Sequence, residues 1–168
     1  IGHVLDFPAP PSTPDSVCPE ETITIHLRSG DIYRRGRVHP DYGQPPLAFY
    51  KRVLDCGGWR HLKVVAEDNR SPVLSPILRH ARRRGMSVFV CGKNLPDAVA
   101  QILYARHLIV ARGTFSTVLG CLSPWNKRLI SFSTSFPEHF GAHNAGERFE
   151  LWEDRSRVFQ KIVWRPWR

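Results

Sequence analysis

Five short apolar runs, alternating with stretches of helical apolar spacing, constrain this chain more than any other feature. The runs are Thr22–Leu27, Leu62–Ala66, Met86–Val90, Leu108–Ala111 and Arg128–Phe132. Between the first two, Pro45-Pro46 opens and Gly57-Gly58 closes a predicted helix over Leu47–Cys56, proline being tolerated in a first turn. Ser71-Pro72 starts a second, with Val73, Leu74, Ile77, Leu78 and Ala81 at helical spacing and Gly85 as its stop. A third is expected over Ala98–Arg106, after Leu95-Pro96-Asp97, and a short fourth over Thr117–Leu122. Strands alternating with helices of this length predict βαβ units with right-handed crossovers. The expected fold is therefore α/β: a Rossmann-like, doubly wound, mostly parallel sheet of about five strands.

At 168 residues the chain suits one such domain. Residues 1–21, with Pro8, Pro10, Pro11, Pro14 and Pro19, read as an arm or linker; 22–134 carry the regular pattern. Residues 135–168 read as a loop and a tail packed on the domain, with Trp152, Phe159, Trp164 and Trp167. Hydrophobic residues at 42% and charged residues at 23% exclude a disordered chain as the default. No run approaches the roughly 18 apolar residues of a membrane span. Cys18, Cys56, Cys91 and Cys121 are too scattered for a disulfide framework or a zinc site. Cys91 and Cys121, in apolar surroundings, are expected to be buried thiols, and a bridge between Cys18 and Cys56 stays open. A first residue of isoleucine suggests a fragment or a processed form.

The formal charge is +9, from 24 Lys+Arg against 15 Asp+Glu, and only five of the basic residues are lysines. Such a balance favours an anionic partner: a nucleotide, a polyanion, nucleic acid or an anionic surface. Arginine bias suits phosphate recognition by a planar fork, although a GC-rich genome produces it equally well. Three strand ends say where an anion would sit. They read His26-Leu27-Arg28-Ser29-Gly30-Asp31, Glu67-Asp68-Asn69 and Arg112-Gly113-Thr114-Phe115-Ser116. In a parallel sheet these gather at one edge, and ligands of open α/β sheets bind there. Thr114 or Ser116 can cap the following helix, whose free N–H groups and dipole favour a phosphate. Gly113 admits a close backbone approach, and Arg28 offers a bidentate grip on a diphosphate. The plainer alternative is that Thr114 and Ser116 only cap a helix and Arg28 only pairs with Asp31.

His-Leu-Arg-Ser-Gly-Asp after an apolar strand resembles the His-x-Arg-Arg/x-x-Asp motif of inverting fucosyltransferases that use GDP-fucose. That family spans 1,2-, 1,6- and protein O-fucosyltransferases. Leu108-Ile109-Val110-Ala111-Arg112-Gly113-Thr114-Phe115-Ser116-Thr117 is similar to its later strand and Ser/Thr-Phe-Ser segment at a helix start. The resemblance covers roughly Thr22 to Thr134 and implies the donor-binding, C-terminal half of a two-domain GT-B fold. It implies transfer of a sugar, fucose in the family, from a GDP-sugar to a hydroxyl of a glycan or protein acceptor. The mechanism implied is inverting and metal-independent, with no cofactor beyond the nucleotide-sugar donor. Carried over by position, Arg28 holds the β-phosphate and stabilises the leaving diphosphate, and Asp31 orients Arg28 or contacts the donor. These two are the catalytic candidates. His26, Ser29 and Gly30 line the nucleotide pocket, Asp68 reaches guanine or ribose, and Gly113, Thr114, Phe115 and Ser116 contact phosphate and ribose. Ser29 replaces the second arginine of the tandem pair. The acceptor-binding half lies outside the 168 residues, so a second Rossmann-like half or a partner subunit is expected, and the resemblance implies a Golgi or other secretory location.

No catalytic base is assignable from sequence; Asp31, Glu67 and Asp68 are the nearby carboxylates. Arg34-Arg35-Gly36-Arg37 forms a basic loop after the first motif, either covering the donor or simply solvated. Arg79, His80 and Arg82–Arg84 fall opposite the apolar face of the second helix, as a solvated surface would. His139 and His143 have metal-ligand spacing, but surrounding Gly and Pro argue against a helix that would present them together. The competing functional reading is a catalytically inactive Rossmann-like module of a larger assembly, binding a polyanion such as RNA. No sequence module for RNA, such as an aromatic sheet motif or a Gly-x-x-Gly loop, is present to support it.

Overall fold

The computed structural model describes residues 19–33, 44–132 and 149–152, with only the backbone of Asp31 and of 149–152. The Pro-rich arm to residue 18, the basic loop at 34–43, Cys18, His139, His143 and most of the tail lie outside these residues. Among the described residues six strands and four α-helices alternate. They are β1 (Thr22–Leu27), α1 (Leu47–Cys56), β2 (His61–Ala66), α2 (Leu74–Arg83) and β3 (Ser87–Cys91). Then come α3 (Leu95–Leu103), β4 (His107–Ile109), α4 (Phe115–Leu122), β5 (Arg128–Phe132) and β6 (Phe149–Trp152). The sheet order is β3-β2-β1-β4-β5-β6, with every pairing parallel. The doubly wound α/β expectation holds. A sixth strand joins from the stretch that the sequence pattern left to the tail.

Register follows from burial. Ile25 pairs with Val64 on one side and Ile109 on the other, and Ile109 with Ile130, all fully buried. Ile23, Ile25 and Leu27 face the layer of α1 and α2, where they pack with Phe49, Tyr50, Leu54, Leu74 and Ile77. The opposite layer, α3 and α4, packs Ile102, Leu119 and Cys121 against Val65, Leu108, Val110 and Leu129. Each fully buried aliphatic side chain contributes about 1.5–3 kcal/mol of transfer free energy. Thr22 and Thr24 alternate with the isoleucines yet are themselves buried, because helices cover both faces of a doubly wound sheet.

Helix boundaries follow local chemistry. Pro46, in extended backbone, precedes α1, and Gly57 ends it. Asn94 caps α3, its side-chain oxygen accepting the Asp97 N–H at 2.9 Å. That cap starts α3 at Leu95, three residues before the apolar spacing alone places it. The outer face of α2 carries exposed Arg79 and Arg82–Arg84, and His80 pairs with Asp55 of α1 at 2.8 Å. Strand β3 is the sheet's edge among the described residues, which leaves Phe89 and Val90 exposed and Cys91 only half-buried. Cys121 is also half-buried rather than enclosed, and none of Cys56, Cys91 and Cys121 is in a disulfide. Among the described residues no helix is long and apolar enough to cross a membrane.

Candidate functional site

Strand order fixes the site before any side chain does. From β1 the chain crosses toward β2 and β3; from β4 it crosses the other way, toward β5 and β6. The loops leaving β1 and β4 therefore diverge, and such a switch point leaves a crevice beyond the carboxyl ends of the two strands. A cleft of about 650 Å³ lies there. Strand β1 contributes His26, Leu27, Arg28 and Ser29, and β2 contributes Val65 and Glu67. The β3–α3 turn supplies Gly92, Lys93, Asn94 and Leu95, with Ala98 behind them. The β4–α4 turn supplies Arg112, Gly113, Thr114, Phe115 and Ser116. Three cationic side chains thus face this cleft against one carboxylate, Glu67, among the described residues.

The β4–α4 turn presents backbone rather than side chains. Thr114 stands at the N-cap of α4 but makes no side-chain cap bond. Ser116 does not cap the helix either: its hydroxyl, 1% exposed, accepts the Ala111 N–H at 3.0 Å. Thr117 donates its hydroxyl to the Gly113 carbonyl at 3.2 Å. These two bonds fold the turn back onto the end of β4. Gly113, at φ +109°, makes the reversal that few other residues tolerate. Among the described residues neither the Thr114 nor the Ser116 side chain caps the first N–H groups of α4, and such a helix N-terminus favours an anion.

His26 sits at the cleft floor with its ring 5.5 Å from that of Phe115, tilted by 56°. Burial, reinforced by the nearby Arg28 charge, pushes its pKa down to about 4, so the ring is neutral at physiological pH. Its Nδ1 is buried without a hydrogen-bond partner. A neutral imidazole there adds no charge repulsion to Arg28 and Arg112.

Of the sequence-based site residues, His26, Arg28, Ser29, Gly113, Thr114, Phe115 and Ser116 line one cleft. Gly30 and Asp68 do not. The Asp68 carboxylate accepts the Ser29 hydroxyl, the Gly30 N–H and the Arg70 N–H, the last at 2.9 Å, with the Arg70 guanidinium at 3.4 Å. Partial burial works to raise its pKa, but these hydrogen bonds and the Arg70 charge outweigh it and hold the carboxyl below its ordinary value. Asp68 staples the ends of β1 and β2 together instead of reaching into the cleft. Of Asp31 only the backbone is described, within the short 3₁₀ turn Gly30–Tyr33. Lys93, Asn94 and Leu95 were missed by motif reading, which took three strand ends and passed over the fourth, Cys91-Gly92. The rule that gathered the other three applies equally to β3. Arg112, which opens the β4–α4 turn, lines the same cleft as Arg28.

Among the described residues no group of three or more His, Cys, Asp and Glu side chains is placed to hold a metal ion. In comparisons with known proteins, no family model, no curated protein and no solved structure matches the chain.

Proposed function

We propose that this chain is the donor-binding half of a glycosyltransferase, transferring a sugar from a GDP-sugar to a hydroxyl of a glycan or protein acceptor. Fucose is the sugar that the motif resemblance implies. One observation carries the reading: Arg28 and Arg112, from the ends of β1 and β4, share a switch-point cleft with an uncapped helix N-terminus. That arrangement suits a diphosphate. In an inverting displacement, an acceptor oxygen attacks the anomeric carbon while the bond to the β-phosphate oxygen breaks. Negative charge then accumulates on the departing diphosphate. Fixed cations and backbone N–H groups aimed at that charge lower the barrier without reorganising. Arg28 and Arg112 supply the cations and the first turn of α4 the N–H groups, while neutral His26 and Phe115 wall the cleft. The acceptor and its base come from the other half of such an enzyme or from a partner subunit.

Calorimetric titration with GDP tests the proposal. Micromolar binding is expected, with GMP at least tenfold weaker, since GMP lacks the β-phosphate. Arg28→Ala removes a bidentate grip whose charge-assisted bonds contribute about 1.5–3 kcal/mol each, so GDP affinity falls about 100-fold or more. Absence of GDP binding, together with RNA binding that weakens steeply with salt, would instead support the polyanion-binding module.

A further inference from the structure

We infer that Glu67 reads the ribose of the bound nucleotide, making the cleft selective for ribonucleotides over their 2′-deoxy counterparts. The inference rests on the diphosphate reading above and adds an orientation to it. Three observations converge. In dinucleotide-binding sheets of strand order 3-2-1-4-5-6, which hold the pyrophosphate on a Gly-rich turn after the first strand, an acidic residue further along hydrogen-bonds the ribose 2′-hydroxyl. This sheet has that order, and Glu67 directly follows the last residue of β2.

Of the two acids there, only Glu67 is available. Asp68 is consumed by Ser29, Gly30 and Arg70, whereas the Glu67 carboxylate has no hydrogen bond or ion pair among the described residues and lines the cleft. Glu67 is an exposed residue, and its carboxylate lies close to Gly30. A Cβ at Gly30, which adopts φ +64°, would run into Glu67 Oε2. The carboxylate thus rests against the backbone at the end of β1, two residues beyond Arg28.

The cleft divides accordingly. Arg28 and Arg112 mark the phosphate end, on the β1–β4 side. On the β3 side, buried Ala98 and exposed Leu95 give apolar surface and Asn94 a polar edge, a composition that suits a nucleobase. Glu67 stands between the two ends, at the place a ribose occupies when the diphosphate and the base are both seated. A carboxylate accepts hydroxyl protons and repels phosphate, so its presence in an otherwise cationic cleft suits a sugar and not a third phosphate.

The test compares GDP, 2′-deoxy-GDP and inorganic pyrophosphate on the chain and on its Glu67→Ala and Glu67→Gln variants, by calorimetry. The chain is expected to prefer GDP over 2′-deoxy-GDP by about tenfold or more, the worth of one hydroxyl bond to a charged acceptor. Glu67→Ala should reduce that preference to about twofold or less, and Glu67→Gln should fall between. Pyrophosphate affinity in Glu67→Ala should stay equal or improve, because a negative charge has left the cleft. Equal binding of GDP and 2′-deoxy-GDP by the unmodified chain, with GDP binding still dependent on Arg28, overturns the ribose assignment alone. Failure of both GDP and pyrophosphate to bind overturns the diphosphate reading and this inference with it.

Discussion

Replacing Ser116 by alanine separates two jobs that one hydroxyl performs at the β4–α4 turn. Its oxygen accepts the Ala111 N–H at 3.0 Å, and Ser116 and Ala111 are 1% and 3% exposed. In Ser116→Ala that donor stays buried with no acceptor and no access to water. An unmet buried N–H costs about 1–3 kcal/mol, a sizeable share of the 5–15 kcal/mol typical for a domain. For a chain of this size each kcal/mol moves Tm by roughly 2–4 °C, so a fall of about 2–12 °C is expected. Urea unfolding followed by circular dichroism gives the free energy directly, and the slope against denaturant should not change. A variant within about 0.5 kcal/mol of the parent refutes the hydrogen-bond reasoning. The second job is read on the folded variant. Accepting the Ala111 N–H leaves the hydroxyl proton free to donate, so a pyrophosphate affinity at least tenfold weaker would make Ser116 a ligand contact as well. An unchanged affinity would make it a brace of the turn alone.

Other expectations are equally specific. His26 is depressed from 6.5 to about 4, chiefly by burial. The unfolded chain therefore takes up this proton as pH falls through 6.5, and the folded chain only near 4. Stability that is complete above pH 6.5 is lost across that window, by on the order of 3 kcal/mol from this group. His26→Gln should flatten the decline in a series of urea titrations, and an unaltered slope would remove His26 as its source. At the start of α3, Asn94→Ala deletes the acceptor of the Asp97 N–H and should cost about 0.5–2 kcal/mol in thermal unfolding. No change there would mean that water or Asp97 itself serves the helix end equally well.

The sequence was most legible where local signals agreed. Leu47–Cys56 lies between proline and glycine, and the helix occupies those residues; β5 likewise matches its apolar run. Non-local facts were not legible. Nothing in Val88-Phe89-Val90 says that β3 stands at an edge, so Cys91 read as buried and is half-exposed. The segment Phe149–Trp152 is too short, with one charge among three apolar residues, to stand out as a strand, and its strand identity comes from pairing with β5. Within the site, motif reading found the residues that two adjacent loops contribute. It gave Asp68 a ligand role because an acid at a strand end is equally suited to two tasks, and only the positions of Ser29 and Arg70 decide between them. It assigned Ser116 to phosphate and ribose from its place near a helix start; the bond that its oxygen accepts from the buried Ala111 N–H depends on how the turn folds back on β4 and was not legible.

The same strand order has a consequence for how the chain reaches its fold. Strand β1 lies inside the sheet, yet its second neighbour, β4, lies some 80 residues further along the chain. Without β4, the backbone groups on one side of β1 would be unpaired and Ile25 would lack Ile109 beside it. Contacts of such sequence separation form late, because a long loop must close before they return any stabilisation. Closing that seam also brings the β4–α4 turn, and with it Arg112 and the open helix end, up to Arg28. Completion of the core and assembly of the cleft thus depend on the same long-range pairing, and a chain cut before residue 107 would lack both.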